Sequence, residues 1–180
     1  MKLILIDGGP ASGKSSLGHM LVNAIKKQGE QIILLDLDSY VENYCLTWKW
    51  ENEEQKVKDL LKAKTDFANA INQSLESSAS VIAIGDRFMS KDEVSNYINK
   101  LRAKVSVQLF HLNVPFELRK QRLHARGPHS LINLEQDQQD REAVKEWPGY
   151  VYANVSSIEQ DTKNLLKLIQ EGQGLIQNGK

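Results

Sequence analysis

Residues 3–16 read Leu-Ile-Leu-Ile-Asp-Gly-Gly-Pro-Ala-Ser-Gly-Lys-Ser-Ser and contain the pattern Gly-x-x-x-x-Gly-Lys-Ser, with Gly8, Gly13, Lys14 and Ser15 at its fixed positions. This spacing is typical of a loop that binds the phosphates of a nucleotide. Glycines let the main chain curl around an anion with its N–H groups pointing inward, and the helix that follows directs its positive end at the same anion. The pattern therefore predicts a nucleotide site, in which Lys14 reaches the β- and γ-phosphates and the Ser15 hydroxyl binds Mg²⁺.

Both flanks of the loop support this interpretation over an ordinary glycine-rich turn. The apolar run Leu3–Ile6 predicts a buried strand that enters the loop directly. Apolar residues at helical spacing follow it, namely Leu17, Met20, Leu21, Ala24 and Ile25. Because the motif requires a strand, a loop and a helix in this order, we expect the whole loop to contact the nucleotide. The predicted contacts are Gly8, Gly9, Pro10, Ala11, Ser12, Gly13, Lys14, Ser15 and Ser16.

Length and composition predict one globular domain, because the chain has 180 residues of which 41% are apolar. Lys plus Arg and Asp plus Glu both number 23, so the formal net charge is zero, which disfavours a broad nucleic-acid or membrane-binding surface. The single cysteine, Cys45, excludes an internal disulfide. The first residues lack the apolar core of a signal peptide, and we expect a cytoplasmic protein that is a monomer or a homodimer.

The rest of the chain alternates between predicted strands and helices. Further strands are predicted at residues 31–37, 81–84, 105–112 and 150–155. Helices are predicted at residues 51–78 and 91–102, from Pro115 towards Arg126, and at residues 158–169. This order predicts a three-layer α/β fold, in which a five-stranded, mostly parallel sheet has helices on both faces. The polar residues 127–148 predict a mobile lid that includes room for a helix, and the tail 172–180 is expected to fray.

Polar side chains follow the second and third predicted strands. In Asp36-Leu-Asp38, Asp38 would take the proton of an acceptor hydroxyl, and Asp36 would hold a water bound to Mg²⁺. Both residues could instead only cap a turn. In Gly85-Asp86-Arg87-Phe88, Asp86 and Arg87 would contact the substrate, or would form a structural ion pair. Ligands bind at the carboxyl ends of the strands in parallel sheets, so these residues are expected to meet at one site.

Three arginines lie on the predicted helix that begins near Pro115. Arg122 and Arg126 are four residues apart and share a helix face, which would bring positive charge to the transferring phosphoryl group. Arg119 and Lys120 are expected to belong to a solvated basic face instead. The predicted catalytic groups are therefore Lys14, Asp38, Arg122 and Arg126.

Two missing motifs narrow the class of nucleotide-binding protein. The only Asn-Lys pair, Asn99-Lys100, is followed by Leu-Arg, so the Asn-Lys-x-Asp motif that reads guanine is missing. No predicted strand ends in the Asp-Glu pair of ATPases that polarise a water molecule. Both absences favour a small kinase.

The sequence resembles the small P-loop kinases of the shikimate and gluconate kinase group, and is most similar in its motifs to chloramphenicol phosphotransferase. The phosphate loop, Asp38-Ser39, and Arg122-Leu-His-Ala-Arg126-Gly are the stretches that resemble those kinases. The resemblance implies ATP and Mg²⁺ as cofactors, Asp38 as the base, and an adenine-side loop at Asn154-Val-Ser-Ser that includes Ser156. The triple-glycine turn of shikimate kinases is replaced by Gly85-Asp86-Arg87, which is similar to a turn in nucleoside kinases.

The aromatic residues Tyr40, Tyr44, Trp48 and Trp50 follow Asp38 closely, and a substrate ring could stack on Tyr40 unless these residues only pack against the sheet. Together these features predict an ATP-dependent phosphotransferase that acts on a hydroxyl of a small metabolite or antibiotic. The alternatives are a nucleoside or nucleotide kinase, a 5′-hydroxyl polynucleotide kinase, and a nucleotide-binding regulator without catalysis.

Overall fold

The computed structural model describes residues 1–125 and 133–176. The strands are β1 (Lys2–Gly8), β2 (Ile32–Asp36), β3 (Ser80–Ile84), β4 (Ser106–Asn113) and β5 (Tyr150–Ala153). The helices are α1 (Lys14–Lys26), α2 (Leu37–Glu42), α3 (Glu53–Glu76), α4 (Lys91–Ile98), α5 (Phe116–Ala125), α6 (Leu134–Glu142) and α7 (Ile158–Gln170).

The five strands form one sheet in the order β2-β3-β1-β4-β5, and every pair of neighbouring strands is parallel. Strand β1 is central, and its side chains are buried on both faces of the sheet. Leu3 and Leu5 pack with Phe67 of α3, whereas Ile4 and Ile6 pack with Leu17 of α1. Alternate residues of a strand point to opposite faces, so β1 joins two hydrophobic cores. The predicted α/β fold with a five-stranded parallel sheet is confirmed.

Helix α3 buries a different stripe from the one that its apolar residues predicted. In the sequence, Val57 and Leu61 belong to the same apolar pattern as Phe67, Ile71 and Leu75, which predicts that they face the core, but their side chains are 63% and 66% exposed. The buried face instead begins at Asp59 and continues through Ala63 and Phe67. Residues spaced by four share a helix face, and this phase leaves Val57 and Leu61 towards solvent.

The lid and the tail also differ from their predictions. Helix α6 occupies part of the predicted lid, residues 127–148, although it carries no apolar stripe; residues 126–132 lie outside the described part. The tail was expected to fray from Gly172, but Ile176 donates a 2.9 Å hydrogen bond to Val107 O, and Gly174 O accepts one from Leu109. Main-chain groups of Val107 and Leu109 that are not paired with β5 form these hydrogen bonds, so the tail is held against β4 up to residue 176. None of the helices described is long and apolar enough to cross a membrane.

Candidate functional site

The phosphate loop connects β1 to α1 and is bounded by the side chain of Lys14. The Lys14 ammonium group lies 2.8 Å from Gly8 O and 3.3 Å from Gly9 O, so it folds back over the loop. Gly13 has φ +92, a left-handed conformation that glycine adopts without the penalty that a Cβ imposes. The main-chain N–H groups of Ala11 and Gly13 have no hydrogen-bond partner among the described residues. These donors and the start of α1 are arranged to receive an anion.

A cavity of about 560 Å³ opens beside this loop. Its wall combines the loop and Lys14 with residues from α2, from the end of β3 and from α6. Among the residues that line the cavity are Lys14, Asp38, Glu42, Trp48, Arg87, Asp137, Asp140 and Arg141. The cavity therefore joins the carboxyl ends of three strands to the lid helix, as expected for a ligand site in a parallel sheet.

Asp36 and Asp38 lie where β2 gives way to α2. Asp36 Oδ1 accepts a 3.1 Å hydrogen bond from the Asp38 N–H and caps α2, while its Oδ2 accepts a 3.0 Å hydrogen bond from the Ser15 hydroxyl. Asp38 borders the cavity. Although its side chain is exposed, partial desolvation and the charge of Asp36 raise its pKa above the usual range, and the Lys14 ammonium opposes this shift. Asp36 is thus a cap, and it also provides an oxygen next to the Ser15 hydroxyl.

Gly85 allows the end of β3 to approach the beginning of α2. It has φ +100, and a Cβ at this position would lie 2.8 Å from Leu37 Cβ and 3.4 Å from Asp36 Oδ1. A larger residue would push α2 and both of its carboxylates away from the phosphate loop.

The three arginines of the predicted basic helix have different positions. The guanidinium of Arg122 lies 3.5 Å from Ala11 O, beside the phosphate loop. Arg126 lies outside the described residues. Lys120 is exposed, as predicted, but the expectation of a solvated Arg119 is wrong, because this side chain is buried and pairs with Asp137 at 2.7 Å. Position 119 lies at the start of α5, where α6 and Gly9 cover it.

A buried network of charges connects the loop to α6, and the sequence reasoning missed it. Asp7 is fully buried. Its carboxylate accepts hydrogen bonds from the Gly8 N–H at 2.6 Å and from Arg141 at 2.9 Å, and it is hydrogen-bonded to Nδ1 of His111 at 3.0 Å. Burial alone would raise the pKa of Asp7, but the His111 hydrogen bond and the Arg141 charge hold it well below its usual range. One signal was available: Asp7 is the only charged residue in the apolar part of β1.

A second contact of Arg141 and a side-chain amide complete the frame around the loop. Arg141 Nε donates to Asp137 at 3.2 Å, and Asp137 in turn pairs with Arg119. Asn154, from the loop after β5, donates a 2.7 Å hydrogen bond to Ser12 O. Asp137 and Arg141 are only four residues apart, but the Arg119–Asp137 and Asn154–Ser12 partners are distant along the chain, so only the fold reveals those two contacts.

The predicted substrate and adenine contacts are only partly brought together. Arg87 lines the cavity and pairs with Asp140 at 3.3 Å. Tyr40 does not line it, because it packs edge-on against Phe67 at 5.4 Å.

The physical reason for the position of Tyr40 is the phase of α2. Residues 38 and 42 are four apart and share the face towards the cavity, so residue 40 points away from it.

Asp86 pairs with Lys64 at 3.2 Å instead of facing the cavity. Ser156 lies on the surface, and its N–H donates to Asp161 at 3.0 Å.

The residues present fit a magnesium ion bound together with a nucleotide. Within the described ranges, no group of three His, Cys, Asp or Glu side chains could hold a metal by itself. Ser15 and Asp36 provide neighbouring oxygen atoms, which are the ligands that Mg²⁺ prefers. Mg²⁺ commonly uses one or two protein oxygens and completes its shell with phosphates and water.

Solved structures with this fold include several small kinases. The chain is similar to a sugar kinase from Janibacter sp. HTCC2649, with 18% identity, a TM-score of 0.63 and coverage of 94% of this chain and 95% of the other. It is similar to the shikimate kinase of Aquifex aeolicus, with 18% identity, a TM-score of 0.60 and coverage of 95% and 97%. It is also similar to the tunicamycin resistance protein of Deinococcus radiodurans, with 14% identity, a TM-score of 0.64 and coverage of 98% of both chains.

These likenesses establish the fold of the small P-loop kinases and confirm the predicted resemblance to that group. Among curated proteins, none matches the sequence. A family described as "Chromatin associated protein KTI12" matches residues 1–103, which contain the phosphate loop, α2 and the end of β3. Because this match covers more than half of its 180 residues, the chain belongs to the KTI12 family of P-loop proteins.

Proposed function

We propose that the protein is an ATP-dependent phosphotransferase that moves the γ-phosphoryl group of ATP to a hydroxyl of a small metabolite or antibiotic. The observation that carries this proposal is that Lys14 and Asp38 line one cavity beside the phosphate loop. An ammonium group that can hold the γ-phosphate and a carboxylate that can accept a proton thus border the same space, which could hold an acceptor.

The chemistry follows from these groups. The loop N–H groups, Lys14 and Arg122 bind the phosphates of ATP, and Ser15 with Asp36 holds Mg²⁺, which neutralises phosphate charge when it is bound. Asp38 accepts the hydroxyl proton while the new O–P bond forms and the bond between the γ-phosphorus and the β-phosphate oxygen breaks, releasing ADP. The raised pKa of Asp38 makes its ionised form a stronger base than an ordinary carboxylate.

The remaining residues of the site have supporting roles in this proposal. Arg126 is assigned the same role as Arg122, which is to stabilise the transferring group, and Ser156 is assigned to the adenine side of the site. The described part of the lid, which includes α6, borders the cavity and excludes water, which would otherwise compete with the acceptor. The protein acts as one domain of residues 1–180 in the cytoplasm.

A nucleoside or nucleotide kinase is the second candidate, because Arg87 and Trp48 line the acceptor side of the cavity. An indole can stack on a base, and a guanidinium can hold a phosphate. Arg87 is paired with Asp140, however, so an anionic acceptor would have to displace that carboxylate. We therefore favour a neutral or weakly charged alcohol.

Two measurements test the proposal. Saturating MgATP at about 100 times Kd should stabilise the fold by about 2.7 kcal/mol, which raises Tm by about 5–10 °C. Transfer of labelled γ-phosphate should then be followed across nucleosides, sugars and aminoglycoside-like alcohols, where we expect one class to become labelled. Nucleotide binding without labelling of any acceptor would support a non-catalytic regulator. Labelling of oligonucleotide ends, with strongly salt-dependent binding, would support a polynucleotide kinase.

A further inference from the structure

The Asp7–Arg141 ion pair joins the strand that leads into the phosphate loop to the helix on the other side of the cavity. Asp7 lies directly before Gly8, whereas Arg141 lies near the end of α6, which is 134 residues later in the sequence. Arg141 Nη2 donates to Asp7 Oδ1 at 2.9 Å, and Nη1 donates to Oδ2 at 3.4 Å. The Asp7 side chain is 1% exposed and that of Arg141 is 12% exposed, so water screens this pair only weakly.

The guanidinium of Arg141 keeps unused donors after these contacts. It has five N–H groups. One on each terminal nitrogen points to Asp7, and the Nε–H points to Asp137. The second N–H of each terminal nitrogen has no acceptor among the described residues. Arg141 also lines the same cavity as Lys14, Gly8 and Pro10, next to the expected position of the phosphates.

We propose that Arg141 donates to the γ-phosphoryl group during transfer, and that Asp7 is the positioning residue that fixes its guanidinium there. This inference rests on the proposed function, since it assigns a further cation to the same site. Two parallel hydrogen bonds determine the plane of a guanidinium as well as its position, which a single contact does not. Asp7 is itself held in place by the N–H groups of Gly8 and Phe88.

The position of α6 is secured by a second contact, so Asp7 need not hold the helix alone. Arg119 pairs with Asp137 and lies against Gly9, where an added Cβ would be 1.9 Å from Arg119 Nη1. Loss of Asp7 should therefore release the Arg141 guanidinium while α6 stays near the loop.

The test compares two ligands that differ only at the position of the γ-phosphate. Kd is measured for MgADP and for MgADP with beryllium trifluoride, which mimics a γ-phosphoryl group and needs no acceptor. The ratio of interest is Kd for MgADP divided by Kd for MgADP with beryllium trifluoride. We expect Arg141→Gln and Asp7→Asn each to lower this ratio at least tenfold, because binding of the mimic weakens, while Kd for MgADP changes less than about threefold. Lys91→Gln is the matched control, because it removes the exposed 2.7 Å pair with Glu146 and should leave the ratio unchanged.

The double variant Asp7→Asn/Arg141→Gln separates positioning from a merely structural role. If Asp7 acts through Arg141, its substitution has no further effect on the ratio when Arg141 is already replaced. The double variant also leaves no guanidinium unpaired, so it remains informative if Asp7→Asn alone does not fold. The inference is overturned if Arg141→Gln keeps the wild-type ratio, or if Asp7→Asn lowers the ratio equally with and without Arg141. Failure of the proposed function would appear instead in the transfer assay.

Discussion

The Ser15 hydroxyl donates a 3.0 Å hydrogen bond to Asp36 Oδ2, which joins the start of α1 to the end of β2. Strand β3 separates β2 from β1 in the sheet, so this contact bridges the edge where the strands end. It places a hydroxyl and a carboxylate next to Lys14. A magnesium ion that binds with the nucleotide would find both oxygens already together.

Replacing either oxygen should therefore weaken binding of the metal complex specifically. We expect Ser15→Ala and Asp36→Asn to raise Kd for MgADP about tenfold or more, because the loss of a group that holds or orients a bound metal typically weakens its binding by that much. Kd for ADP in the presence of EDTA should change little, because no metal is then involved. Titration calorimetry with and without Mg²⁺ measures both values. Ser39→Ala, on the exposed surface of α2, is the control; equal losses with and without Mg²⁺ would contradict the assignment.

Asp38→Asn should separate nucleotide binding from phosphoryl transfer. The amide keeps the shape of the side chain but cannot accept a proton, so we expect transfer to fall at least about tenfold while Kd for MgATP is retained. Because partial desolvation and the Asp36 charge raise the pKa of Asp38, its ionised form is disfavoured in the folded protein. The variant should thus have an equal or higher Tm without ligand at pH 7. Unchanged turnover would remove Asp38 from the mechanism.

Gly9→Ala tests the close contact between the phosphate loop and the Arg119–Asp137 pair. The new Cβ would lie 1.9 Å from Arg119 Nη1 and 2.4 Å from Asp137 Oδ2, so a buried ion pair must move. We expect a loss of about 1–3 kcal/mol in the free energy of unfolding, measured by urea denaturation.

Gly29→Ala is the control for this substitution. Gly29 has φ +84, and an added Cβ would meet open space. The substitution therefore changes only the backbone strain and should lower the free energy of unfolding by about 1 kcal/mol. Nucleotide affinity should fall in Gly9→Ala and stay unchanged in Gly29→Ala. A fully stable Gly9→Ala variant with normal affinity would show that the loop and α6 are not packed together.

Acid should destabilise the protein partly through Asp7. Its pKa lies well below the usual range in the folded state, because His111 and Arg141 outweigh the effect of burial. Below about pH 4 the Asp7 carboxylate is therefore protonated in the unfolded state but still ionised in the folded state. The free energy of unfolding falls as pH falls towards the pKa of the folded state. Above about pH 4 the contribution of Asp7 is fully present.

The comparison of Asp7→Asn with wild type measures this contribution. The variant should be less stable at pH 7, and the difference between the two free energies of unfolding should shrink as pH falls below about 4. Parallel curves for Asp7→Asn and wild type would show that the ion pair does not stabilise the fold.

The sequence by itself determined the phosphate loop, the alternation of strands and helices, and the class of fold. These features are local, because an apolar run, glycines at fixed spacing and a helix follow one another within 25 residues. The phosphate-binding site could therefore be predicted without knowledge of the fold. The position of Asp38 shortly after the second strand was predictable for the same reason. The short helix α2 that carries Asp38 was not predicted, and its phase turns Asp38 and Glu42 to the cavity and Tyr40 to the core.

Only the tertiary structure decided which charges are buried and paired. Arg119 has the sequence neighbourhood of a surface residue, yet it is buried because α6 and Gly9 cover it. Asp7 and Arg141 meet across 134 residues because the parallel sheet places the end of β1 opposite the lid helix. Hydrophobic periodicity indicates which face of an element is covered, although it misplaced part of the buried face of α3, whereas the partner of a buried charge depends on the arrangement of elements in space.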